Sequence, residues 1–146
     1  MVPVKVALQP IHVILGLNLI WNITVPDSCL ITYRMNWHQL TTEEQLEQIK
    51  TDSKLKPQLI FKHSTRCNIS SMALNRLNRE TNLPDIEYHL LDLIAYRSLS
   101  QKIAEDLQVQ HESPQVLLIR NGECVYDESH SGISVSEIAE QVAQLN

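Results

Sequence analysis

The chain has 146 residues and a mass of 16.7 kDa, with 43% hydrophobic and 20% charged residues, which suits one globular domain with a sizeable core and argues against a multidomain assembly. Twelve Lys and Arg against seventeen Asp and Glu leave a net charge of −5, so no broad basic face is offered to a phosphate backbone and nucleic acid is not expected as a partner. Three cysteines without a C-x-x-C pair make no disulfide framework; they fit a reducing compartment, and the expectation is a cytoplasmic protein.

Charge is unevenly spread. Residues 1–34 carry one Lys, one Arg and one Asp, whereas residues 35–146 carry ten basic and sixteen acidic residues, a net of −6. The apolar run from Ile11 to Val25 is broken by His12, Gly16, Asn18 and Asn22 and is shorter than the roughly 20 apolar residues of a membrane span, so no membrane association is expected. A secretory leader fits poorly, because only Lys5 precedes the run, Pro10 interrupts it and no small-residue cleavage site follows. Ordinary soluble composition begins at Met35. Two readings of residues 1–34 stay open: an extension upstream of a start at Met35, or an arm that packs its apolar residues on the domain or on a partner. Residues 35–146 form the expected domain.

From Asn36 to Leu40 the chain reads as a short strand, and Thr41 and Thr42 with Glu44 and Gln45 offer two capping boxes for a helix carrying Leu46 and Ile49. After Lys56-Pro57, Gln58 to Lys62 is a short, buried strand. The loop His63-Ser64-Thr65-Arg66 leads to Cys67, after which Ile69, Met72, Ala73 and Leu77 keep helical period to about Glu80. Ile86 to Leu93 is a strand, and Leu99, Ile103 and Leu107 mark a helix that begins near Ser98 or Ser100. Ser113-Pro114 precedes the strand Gln115–Arg120, which Asn121-Gly122 joins as a hairpin to Glu123–Asp127. Ser134 with Glu137 caps a last helix whose inner face is Val135, Ile138, Val142 and Leu145. The order β-α-β-α-β-α-β-β-α predicts an α/β fold, a mixed central sheet with helices on both faces. A cysteine after the second strand and a proline opening the hairpin strand make that order thioredoxin-like.

A cysteine thiol attacks only as its thiolate, and an ordinary one, with a pKa of about 8.5, is mostly protonated at neutral pH. Unpaired amides at a helix start and the neighbouring Arg66 favour the anion at Cys67. Ser70 stands where a dithiol protein would hold its resolving cysteine, so Cys67-Asn68-Ile69-Ser70 cannot close an internal disulfide. Cys67 and Ser70 are therefore the catalytic pair expected: Cys67 takes up a group as a mixed disulfide and a second thiol clears it. Ser70 either donates a hydrogen bond to the sulfur or satisfies a helix amide. Ser113 and Pro114, with a cis bond between them, are expected to bring backbone groups beside the thiol, and Arg66 and Asn68 complete the substrate-binding set. His63 with Cys67 has metal-like spacing but lacks a second pair, so no metal and no bound cofactor is expected. His111, Glu112 and His130 are either site residues or ordinary loop residues. Cys124 reads as structural, and Cys29 lies in the N-terminal part.

Phe61 to Ser70, His111-Glu112-Ser113-Pro114-Gln115 and Ser129-His130 together resemble the monothiol bacilliredoxins, from about Met35 to the C-terminus. The resemblance implies removal of bacillithiol, or a similar low-molecular-weight thiol, from S-thiolated client proteins, with Cys67 at the reactive position and the small thiol as co-substrate. Bacillithiol carries a malate, for which Arg66 is the nearest candidate cation in sequence, with Lys62 and Arg97 behind it. The family's usual T-C-P-I-S differs here: Arg66 replaces the Thr, and Asn68 replaces a Pro that would fix the first helical turn. Two other functions compete. A glutathione-dependent monothiol glutaredoxin would carry C-G-F-S, which Asn68-Ile69 do not match; a thioredoxin-like binding module would hold an inert cysteine.

Overall fold

The computed structural model describes residues 35–145. Expectations for residues 1–34, Cys29 among them, lie outside the described residues. The elements are β1 (Trp37–Gln39), α1 (Glu43–Asp52), β2 (Gln58–His63), α2 (Asn68–Arg79), β3 (Glu87–Asp92), α3 (Arg97–Asp106), β4 (Gln115–Arg120), β5 (Glu123–Ser129) and α4 (Val135–Ala143), with a turn of 3-10 helix at His130–Gly132 before α4. They form one five-stranded sheet in the order β1-β3-β2-β4-β5. The pairs β1–β3 and β2–β3 are parallel, β2–β4 and β4–β5 antiparallel. The expected mixed sheet is the one observed.

Local chemistry explains where elements begin and turn. Of the two capping boxes, Thr42 with Gln45 forms: the Gln45 amide donates to Thr42 Oγ1 at 3.3 Å and the Thr42 amide to Gln45 Oε1 at 3.1 Å. The hairpin turns at Asn121 (φ 57°) and Gly122 (φ 83°), the left-handed pair a two-residue connection requires. Its amides are also tied to the end of α1, Asn121 to the Ser53 carbonyl at 3.1 Å and Gly122 to Ser53 Oγ at 2.7 Å. The final helix departs from expectation. Ser134 is its N-cap by position, but its hydroxyl makes no capping bond and pairs with Ser136 Oγ at 2.6 Å instead.

Side-chain alternation divides the core into two layers. Leu59 and Phe61 of β2 and Val116 and Leu118 of β4 face Ala73 and Leu77 of α2 and Ile138 and Val142 of α4. On the other face, Ile60, Leu91, Leu117 and Ile119 pack against Leu46 and Ile49 of α1 and Leu99 and Ile103 of α3. In α2 the buried stripe is Ser70, Ala73 and Leu77, whereas Ile69 and Met72 are 55% and 69% exposed. The expected apolar period of α2 is thus rotated: a serine occupies the first inward position, which turns the two larger residues to solvent.

Candidate active site

Cys67 is the N-cap of α2, with an extended backbone (φ −112°, ψ 118°), and its thiol is partly exposed. A tight turn delivers it: the Cys67 amide donates to the Ser64 carbonyl at 3.1 Å, and the Cys67 carbonyl accepts from Ser71 at 3.0 Å, the first bond of the helix. The Cys67 side chain caps nothing, and no acidic residue sits in the first turn, so the positive end of α2 is uncompensated there. Arg66 and Asn68 flank the cysteine, both exposed, and Arg66 has no ion pair among the described residues.

Ser70 is fully buried, and its hydroxyl points away from solvent. It accepts from the Ser64 amide at 3.0 Å and shares a 2.7 Å hydrogen bond with His63 Nδ1. The hydroxyl thus ties the first turn of α2 to the end of β2 and to the loop that carries Cys67. Neither role weighed for Ser70 is the one found: the hydroxyl holds a loop amide and the imidazole rather than the sulfur or a helix amide. Burial lowers the His63 pKa against the opposing effect of Asp92, which favours the neutral imidazole; the tautomer sets which of the Ser70 hydroxyl and Nδ1 donates. His63 lies parallel to Phe61, ring centroids 6.0 Å apart. Ser70→Ala would leave the Ser64 amide and the imidazole without this partner, an expected loss of about 1–3 kcal/mol of stability, with measurable thiol transfer retained. Chemical denaturation and an exchange assay on the same sample check both halves; a folded variant devoid of transfer would give Ser70 a chemical role.

Pro114 opens β4. Because Lys62 pairs with Gln115 in the antiparallel register, Pro114 lies across from the end of β2, at the sheet edge where the chain leaves for Cys67. The Ser113-Pro114 bond is cis. Ser113 Oγ is buried without a hydrogen-bond partner among the described residues, and the Pro114 carbonyl accepts from the His130 amide at 3.0 Å. His130 also brings its ring within 3.8 Å of Glu112, so the two residues left open in the sequence sit around the proline loop. His111 is held there too, Nε2 to Ser100 Oγ at 3.0 Å.

Sequence reasoning missed the buried polar frame behind the loop. Lys62 is fully buried on the face opposite His63, where Nζ donates to Gln115 Oε1 at 3.0 Å. Gln115 accepts from the Glu112 amide at 3.3 Å and donates to the Gln110 carbonyl at 2.9 Å and to Asp127 at 3.2 Å, which anchors the loop before Pro114. Burial pushes the Lys62 ammonium down to about 8, with Glu112 opposing. As a cation for a ligand's carboxylate, then, Lys62 is out of direct reach. The available signal was a lysine and a histidine ending a strand that reads as buried.

Cys124 lies at the other end of the sheet, pairing with Ile119 next to the hairpin turn. Its thiol contacts the Tyr126 carbonyl at 3.3 Å and is pushed up to about 11 by burial, which makes it a poor nucleophile. Among the described residues, no three His, Cys, Asp or Glu side chains cluster as a metal site would need. No helix among them is long and apolar enough to cross a membrane.

A mixed five-stranded sheet, a lone cysteine at the N-cap position of the helix after β2 and a cis-proline opening β4 define a thioredoxin-fold protein with a single-thiol site. Solved structures show the same fold. One described as a candidate oxidoreductase with a thioredoxin fold is 34% identical, with TM-score 0.62 over 70% of this chain and 90% of its own. Thioredoxin from Schistosoma mansoni is 16% identical, with TM-score 0.60 over 77% and 97%. Malassezia sympodialis thioredoxin is 14% identical, with TM-score 0.60 over 76% and 91%. The profile of the family described as monothiol bacilliredoxin BrxC matches residues 38–138, and the chain belongs to that family. Family and fold together place it among proteins of thiol–disulfide exchange.

Proposed function

We propose that the protein removes bacillithiol, or a similar low-molecular-weight thiol, from mixed disulfides on client proteins in the cytoplasm, with Cys67 as the nucleophile. The observation that carries this reading is the partly exposed Cys67 at the uncompensated start of α2 with a buried serine three residues on. The Cys67 thiolate attacks the small thiol's sulfur; the new S–S bond forms as the old one breaks, and the client leaves as its thiolate. A second small-thiol molecule then attacks the adduct, releasing a symmetrical disulfide and regenerating Cys67. No electrons enter or leave beyond those of the named thiols. In this reading the free start of α2 and Arg66, the neighbour of Cys67 in sequence, stabilise the thiolate, and Asn68, Ser113 and Pro114 are assigned to substrate binding.

Incubation with a bacillithiolated client, followed by intact-mass spectrometry, should show one adduct per chain, located at Cys67 by peptide mapping. An adduct at another residue, or none while the client stays modified, would overturn the reading.

A further inference from the structure

Three chain segments meet at one edge of the sheet. Parallel pairing of His63 with Asp92 puts the residues after β3 beside those after β2, and the Leu93 amide donates to the His63 carbonyl at 3.0 Å. Antiparallel pairing of Lys62 with Gln115 brings residues 111–114 to the same edge. Cys67 leaves from this edge. Between the segments after β3 and before β4 lies a groove of about 320 Å³, lined by Leu93, Ile94, Arg97, Gln101 and His111. That volume is within the range of small-molecule sites.

The lining has a definite chemistry. Arg97 is the first residue of α3; it is exposed and has no ion pair among the described residues. Its planar guanidinium matches a carboxylate bidentately. The first turn of α3 contains no acidic residue and Tyr96 supplies no side-chain cap, so no carboxylate of the helix competes for Arg97 there. His111 is fixed by Ser100, and partial desolvation and the charge of Lys62 lower its pKa. Gln101 adds an amide, and Leu93 and Ile94 give apolar surface to a carbon skeleton. Two carboxylates stand near: Glu105 belongs to an adjoining groove that shares Gln101 and His111, and Asp92, just before Leu93, has its Oδ1 taken up by the Ile94 and Ala95 amides at 2.9 and 3.4 Å. Arg97 is the cation of the lining, and so the group that an entering carboxylate pairs with.

We propose that this groove holds the carboxylate-bearing part of the small thiol during its transfer to Cys67, with Arg97 as the principal contact, and so selects anionic over neutral low-molecular-weight thiols. The inference rests on the exchange reading above and names the residues behind its specificity.

The test uses the full chain and one client protein carrying three different adducts in turn: bacillithiol, bacillithiol with its malate carboxylates esterified, and 2-mercaptoethanol. The wild type should take the acid form about tenfold faster than the ester, the scale of one charge-assisted hydrogen bond. In Arg97→Gln that ratio should fall towards one through a raised KM for the acid form, and Arg97→Lys should restore part of it. Unchanged discrimination in Arg97→Gln overturns the inference. A contact between Arg97 and the client's own carboxylates would slow acid and ester alike and leave the ratio intact, which also overturns it. Failure of the wild type to remove even 2-mercaptoethanol would instead sink the exchange reading, and equal wild-type rates on all three adducts would sink the groove alone.

Discussion

Cys67→Ala should fold as the wild type does and accept no adduct, and intact-mass spectrometry should show the client still thiolated. The substitution removes a partly exposed sulfur from an N-cap that makes no side-chain bond, so little stability is lost. Transfer through the site, by contrast, is lost, and Cys124, the one other cysteine among the described residues, does not replace it, since it lies at the far end of the sheet with its thiol held protonated. Cys124→Ala is the matching control and should transfer like the wild type. Adduct removal that persists in Cys67→Ala would transfer the chemistry to another group and dissolve the assignment.

Much of this site was legible as spacing. A strand, a four-residue loop, a cysteine and a helix are local features, and the Asn-Gly hairpin after Pro114 is a short-range signal, so the order of elements and the place of Cys67 followed from chain order. Boundaries moved by one to three residues: α3 begins at Arg97 rather than Ser98 or Ser100, and β3 is Glu87–Asp92 rather than Ile86 to Leu93. What could not be read was the direction of polar side chains. Ser70 has the same spacing whether its hydroxyl faces the sulfur or the core, and only the packing of α2 against Phe61 and His63 turns it inward. Likewise Lys62, Arg66 and Arg97 are equal as charges in a sequence. The sheet buries the first at a β4 contact and leaves the other two exposed. Capping at Ser134 failed for a related reason, since a nearby hydroxyl, Ser136, takes up the group that would cap.

Replacing Lys62 by Met should make the protein more stable at neutral pH and less discriminating between adducts. The ammonium is fully buried and its principal partner is a neutral amide, so its pKa falls from 10.5 to about 8, a cost on the order of 3 kcal/mol to keep it charged in the fold. A lowered lysine pKa means that the unfolded chain holds the proton more tightly between about pH 8 and 10.5. Stability contributed by this group therefore rises with pH across that window, and the penalty is in full force below it. Methionine has a similar volume and no charge. Gln115 Oε1, which loses Lys62, still accepts from the Glu112 amide, so no buried oxygen is orphaned. After about 1 kcal/mol for the lost hydrogen bond, Lys62→Met should gain about 2 kcal/mol at pH 7, and the gain should shrink through pH 8–10.5. Denaturant titrations of both proteins across that range measure it. The Lys62 charge acts on His111 of the Arg97 groove, so the preference for the acid adduct over its ester should fall in the same variant. Stability that drops at pH 7 would show the ammonium to be favourable where it lies; stability that rises with discrimination unchanged would remove Lys62 from recognition and leave Arg97 to carry it.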